Sequence, residues 1–181
     1  MEKKIRIAGS GGQGVVLSGV ILGRAAVLYD RKRATQTQSY GAEARGGAAR
    51  SEVIISDESI DCPQVINPDI LVAMSQRALD KYIKDLRPHG ILIVDSELVK
   101  DFPQNRSFYV YRVPASQIAS QEFGRTIVAN MIMLGFLVGL TGVVSREALG
   151  KSVRDSVPQE TKDLNLRALE KGEEIPREAK K

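Results

Sequence analysis

Lys4-Ile5-Arg6-Ile7-Ala8-Gly9-Ser10-Gly11-Gly12-Gln13-Gly14-Val15-Val16-Leu17 is the stretch that decides the fold. Residues 4–8 alternate apolar and charged side chains, the period of a strand. Gly9 to Gly14 then fits G-x-G-x-x-G at a strand-to-helix turn. Glycines there let the backbone turn tightly and approach a ligand or another chain closely, and the helix start presents free N–H groups to an anion. The next residues, 13–30, read as a helix apolar almost all round, with Arg24 its only charge before Asp30. Such a helix is buried. Ser18, Gly19 and Gly23 would let it lie close on a sheet.

Working outward, further strands are expected at 32–37, 51–56, 69–74, 91–95 and 108–113, with 59–61 as a hairpin extension. Helices are expected at 76–87, capped by Ser75 and stopped by Pro88-His89-Gly90, and at 115–122, 126–145, 145–155 and 159–172. Residues 173–181 read as a frayed tail. Strands alternating with helices predict one α/β domain over 1–181, a doubly wound, mostly parallel, Rossmann-like sheet with helices on both faces and a helical C-terminal third.

Thr126 to Ser145 carries no charge and contains Gly135-Phe136-Leu137-Val138-Gly139, so it is long enough to span a bilayer and has a small-xxx-small pattern. Asn130 within it, Gly142 near its end and the α/β pattern around it favour a core or interface helix, and no membrane contact is expected.

The 181 residues are 43% hydrophobic and 27% charged, which suits a globular domain with a real core. A single cysteine, Cys62, excludes a disulfide framework and a self-contained iron–sulfur site. A single histidine, His89, argues against a histidine-based triad or metal site. Cys62, before Pro63, reads as a buried or half-buried inert thiol, and His89 as a helix-end residue. The net charge of +4 comes without tryptophan or interleaved aromatics, so nucleic acid is not an expected partner. The chain enters its first strand with no apolar leader, and cytoplasmic residence is the expectation.

A nicotinamide site would need an acid at the end of the second strand. Asp30 precedes that strand, as do Arg31, while Arg33 lies at its start, and the strand runs into Gln36-Thr37-Gln38-Ser39. A stand-alone nucleotide-binding dehydrogenase therefore stays open on an incomplete fingerprint.

A second glycine-rich stretch is more particular: Gln38-Ser39-Tyr40-Gly41-Ala42-Glu43-Ala44-Arg45-Gly46-Gly47. Its glycines suggest unusual backbone angles or close approach of another backbone. Glu43 and Arg45 could pair across the loop or meet a partner, where arginine grips a carboxylate or phosphate with two prongs.

These two motifs in this order resemble the gamma subunit of 2-oxoacid:ferredoxin oxidoreductases. The similarity continues through Pro68-Asp69, Ala73-Met74-Ser75-Gln76, Pro88-His89-Gly90, Val113-Pro114-Ala115, Ala129-Asn130-Met131 and Leu134-Gly135, to Asn165, Ala168 and Gly172. It covers nearly the whole chain as one gamma-type domain. Tyr40 to Gly47 looks like the 2-oxoglutarate type, with Ala42 where many relatives carry proline. Branched-chain, pyruvate and indolepyruvate enzymes remain open.

The resemblance implies a subunit that is not catalytic alone, in a complex with alpha, beta and delta subunits. There thiamine diphosphate with Mg and iron–sulfur clusters would decarboxylate the oxoacid, coenzyme A would take the acyl group and ferredoxin the electrons. No cofactor, metal ligand or catalytic residue is expected on this chain. The interface or ligand-approach residues it points to are Gly9, Gly11, Gly12, Gln13 and Gly14, with Ser39, Tyr40, Gly41, Glu43, Arg45, Gly46 and Gly47. An exposed interface would drive an isolated chain to a homodimer.

Overall fold

Among the described residues, five of the six strands point the same way. The computed structural model describes residues 1–40, 47–103 and 107–178. Its sheet runs β2-β3-β1-β4-β5-β6, from β1 (Glu2–Ser10), β2 (Arg33–Ser39), β3 (Ala48–Ser56), β4 (Ile70–Ala73), β5 (Ile91–Asp95) and β6 (Tyr109–Val113). Strands β1, β4, β5 and β6 are parallel neighbours. Strand β3 is antiparallel to both β1 and β2, so β2 is parallel to β1 with β3 inserted between them. The expectation of a mostly parallel sheet holds, and chain length explains the exception. Residues 40–47 are too few for a crossover, which takes about a dozen residues, so β3 must fold back as a hairpin.

The period of β1 sorts the core. Ile5 and Ile7, with Val53, Ile55, Ile70, Val72 and Ile93, face one side. There they meet α1 (Val15–Arg24), α3 (Ala115–Phe123), α4 (Ala129–Thr141), α5 (Arg146–Ser156) and α6 (Lys162–Glu178). Ala8, Leu71, Ala73, Leu92 and Val94 face the other side and meet α2 (Gln76–Tyr82). Helices cover both faces, five on one and one on the other among the described residues. Ser75 and Ser145 cap α2 and α5 by accepting from the N–H groups of Ala78 and Ala148.

The helix expected at 76–87 ends as α2 at Tyr82 with a 3₁₀ turn over Ile83–Asp85, and the elements depart from the sequence expectation in four further places. The helix after Gly14 closes in a wide π turn over Ala25–Tyr29. Residues 59–61 form no strand. The apolar stretch at 126–145 breaks into a 3₁₀ turn (Thr126–Val128) and α4, and Gly142 ends α4 in the left-handed region. No helix among the described residues is long and apolar enough to cross a membrane. Finally, α6 continues through Glu178. Residues 173–178, expected to fray, stay helical, with Glu173 and Pro176 against Gly139 of α4.

That packing perturbs one carboxyl. Burial pushes Glu173 above the ordinary glutamate range, and Arg146, 3.9 Å away, offsets only part of the effect. The folded chain thus favours the protonated form. Stability carried by Glu173 is complete below the ordinary glutamate pKa and is lost as pH rises through the raised value. Glu173→Gln should therefore melt higher than the wild type at about pH 7 and together with it below about pH 4. Melting curves at the two pH values check this.

Candidate functional site

The helices after β1 and β4 leave for opposite faces of the sheet, which opens a crevice beyond the carboxyl ends of these adjacent strands. In α/β sheets that is where ligands and partners are placed. The Gly9–Gly14 turn lies there. Gln13 folds back into it: Oε1 accepts from the Ser10 N–H at 2.6 Å, and Nε2 donates to the Met74 carbonyl at 2.9 Å. One side chain thus ties the end of β1 to the end of β4. Gly14 starts α1 at φ 71°, and a Cβ there would lie 2.2 Å from Asn130 Nδ2, whose amide donates to the Gly14 carbonyl. Gly12 also has a positive φ, 90°, but around it lies open space. Gly14 is thus required by packing and backbone angle together, Gly12 by the angle alone.

The second motif reaches the same corner. Ser39 ends β2 opposite Arg50, Tyr40 is exposed, and the Gly47 carbonyl accepts from the Gly11 N–H at 3.3 Å. Gly41, Glu43, Arg45 and Gly46 lie outside the described residues, and so does the Glu43–Arg45 pairing considered from the sequence. Gly47 thus lies beside the first turn, while Ser39 and Tyr40, at the end of β2, lie on the far side of β3.

Next to Gly12 and Gln13 a cleft of about 350 Å³ opens, lined further by Met74, Leu98, Ser116, Thr126, Ile127 and Ala129. None of these side chains is ionisable. The Ser116 hydroxyl is spent on buried Asp95 at the end of β5, which also accepts from the backbone N–H groups of Ser116 and Glu97. Asp95 thereby joins the β5 end to the start of α3. The cleft has shape, apolar surface and hydrogen-bonding groups, but no ionisable side chain among its lining residues.

Sequence reading missed a polar cluster on the α2 face. Arg6, 3% exposed, donates to Glu52 (2.7 Å), Asp85 (2.5 Å) and the Val65 carbonyl (2.9 Å), and its guanidinium lies over the Tyr82 ring. Arg50, also over Tyr82, stands 3.6 Å from the same Glu52. The only hint in the sequence was a charge at the centre of a strand buried on both faces. The cluster braces β3 where it emerges from the second motif.

A dinucleotide site is not assembled. The acid that would bind a ribose belongs on a strand adjacent to β1, whereas β3 separates β1 from β2 and displaces the β2 end by roughly 10 Å. Asp30 is occupied at the start of α5, accepting from the N–H and hydroxyl of Ser145. Cys62, expected to be buried or half-buried, is exposed, because it lies in the irregular segment between β3 and β4. The described residues include no group of three or more His, Cys, Asp and Glu placed to hold a metal ion.

Residues 4–175 match the model of the pyruvate ferredoxin/flavodoxin oxidoreductase family. The chain is 54% identical to the 2-oxoglutarate synthase subunit KorC of Methanocaldococcus jannaschii, over 98% of this chain and 96% of that protein. It superposes on the keto/oxoacid ferredoxin oxidoreductase gamma subunit of Geobacter sulfurreducens with a TM-score of 0.85 and 46% identity, over 95% of this chain and 96% of that one. The 2-oxoglutarate:ferredoxin oxidoreductase of Magnetococcus marinus, solved with 2-oxoglutarate, coenzyme A and succinyl-CoA, matches 97% of this chain with a TM-score of 0.83 and 25% identity, but only 31% of its own longer chain. By sequence over almost its whole length and by fold, the chain belongs to the pyruvate ferredoxin/flavodoxin oxidoreductase family.

Proposed function

We propose that this chain is the gamma subunit of a cytoplasmic 2-oxoglutarate:ferredoxin oxidoreductase, which converts 2-oxoglutarate and coenzyme A to succinyl-CoA and carbon dioxide and passes the electrons to ferredoxin. The observation that carries this reading is near-full-length identity above one half with a 2-oxoglutarate synthase subunit. In such a complex the hard chemistry is carried by a cofactor, which the protein positions. Alpha, beta and delta subunits would carry thiamine diphosphate with its Mg and the iron–sulfur clusters. This chain's single cysteine could not ligate a cluster.

In this reading the paired glycine corner meets a catalytic subunit. Glu43 and Arg45 hold the second loop against it, Tyr40 packs at the seam, and the Gly12–Gln13 side of the cleft borders the approach of coenzyme A. The free N–H groups at the start of α1 suit a phosphate there.

Co-expression of the chain with the alpha, beta and delta subunits tests the assignment. The purified complex should reduce a viologen dye with 2-oxoglutarate and coenzyme A, and with other oxoacids far more slowly. A chain that purifies alone, or a complex that prefers pyruvate, would overturn it. Gly12→Val tests the corner. Open space surrounds Gly12, so the replacement costs the isolated chain only backbone strain of about 1–2 kcal/mol. Turnover or assembly should fall at least tenfold. Wild-type activity in the folded variant would mean that nothing approaches this turn.

A further inference from the structure

At the far edge of the sheet from the cleft, β2 has no strand on its outer side among the described residues. Natural proteins usually blunt such an edge. Beside it a groove of about 370 Å³ runs between α1, its π turn and β2, lined by Val20, Val27, Leu28, Ala34, Arg24 and Thr35 among others. Val27 and Leu28 are 44% and 56% exposed, two large apolar side chains in sequence on the lip. Two polar atoms in the groove walls are buried without a hydrogen-bond partner, Arg24 Nε and Thr35 Oγ1. Buried polar groups are rarely left unpaired, and a guanidinium N–H can be satisfied only by an acceptor.

Charge narrows the choice of occupant. Arg24 lines the groove and no carboxylate does, while exposed Arg31 and Arg33 lie in the chain between the π turn and Ala34. The nearby acids are engaged: Asp30 by Ser145, Asp155 by the Tyr29 hydroxyl, and Asp57 by the N-terminal amine. A second copy docked groove to groove would set Arg24 against another basic groove, whereas an acidic segment brings it a carboxylate.

We propose that the β2 edge and this groove dock an extended, acidic segment of a partner subunit, added as a seventh strand. Its backbone pairs with β2, an apolar side chain enters between Val27 and Ala34, and a carboxylate meets Arg24. Main-chain pairing supplies the hold and the side chains the selectivity. This inference rests on the gamma-subunit reading, because its partner is a subunit of that complex.

The test compares assembly of the co-expressed complex for the wild type, Leu28→Asp, Arg24→Glu and, as a control, Ile66→Asp at an exposed apolar residue elsewhere. Leu28→Asp and Arg24→Glu should each weaken assembly at least tenfold, while the isolated chain melts within a few degrees of wild type. Ile66→Asp should assemble as wild type does. Wild-type binding should weaken as salt rises. A photo-reactive phenylalanine analogue at position 28 should cross-link to a partner-subunit peptide containing Asp or Glu. Undiminished assembly of both groove variants, an equal loss in Ile66→Asp, or a cross-link to another copy of this chain would overturn the proposal while leaving the gamma-subunit reading in place. Failure of the wild type to assemble would remove that reading, and this proposal with it.

Discussion

Arg6→Met should lower the unfolding free energy by about 3–5 kcal/mol, the usual cost of removing one partner from a buried ion pair. The guanidinium is 3% exposed and Glu52 8% exposed. Glu52 accepts from Arg6, with Arg50 only 3.6 Å off its other oxygen and the Thr37 hydroxyl at 3.4 Å. Without Arg6 the carboxylate stays in a low-dielectric site with one loose ion pair. The Val65 carbonyl and Asp85 lose their donor as well. The cost thus arises from what is stranded more than from the attraction that is lost. Arg6→Met with Glu52→Leu should therefore recover most of the loss. Urea unfolding of the two single variants and the double variant gives the coupling energy. A single Arg6→Met variant within 1 kcal/mol of wild type would refute the account.

Gly135→Leu should be comparably damaging, for a steric reason. Where α4 and α6 cross, a Cβ on Gly135 would lie 2.1 Å from the Leu169 carbonyl oxygen, and one on Gly172 would lie 2.1 Å from that of Ile132. These are backbone atoms, so no rotamer change relieves the clash and the helices must separate. Loss of this contact over buried Ile132, Phe136 and Leu169 should cost about 3 kcal/mol for alanine and more for leucine. Gly150 of α5 provides the contrast, since a Cβ there meets nothing within 4 Å. Gly150→Ala should stabilise by about 0.5–1 kcal/mol through helix propensity. Thermal or urea unfolding of the three variants decides. Equal effects at 135 and 150 would mean that the close crossing is absent.

The Gly135–Gly139 pair illustrates how a local pattern can be read correctly and assigned to several settings. Small residues four apart announce close approach of helices. Whether the second helix lies in a bilayer, in a partner or in the same chain depends on which backbone arrives, and here α6 arrives. The Gly9–Gly14 turn is a similar case. Its place between strand and helix was legible, because positive backbone angles and the burial periods of β1 and α1 are local. That Gln13 would reach Met74 was not, since the partner lies 61 residues away.

Local chemistry alone settled most of the elements, the mostly parallel α/β class, the buried first helix and the two glycine motifs, since periodicity and turn preference act over a few residues. It also bounded the chemistry, because one cysteine and one histidine are a fact of composition. Only the tertiary structure decided that β3 enters between β1 and β2, which removes the place for a ribose-binding acid. Only it joined Gly11 to Gly47, closed Arg6 into a cluster with Glu52 and Asp85, and left an apolar groove along the β2 edge. Each of these is a meeting of residues far apart in the chain, set by strand order and by how closely helices pack, and neither is encoded in any single stretch of residues.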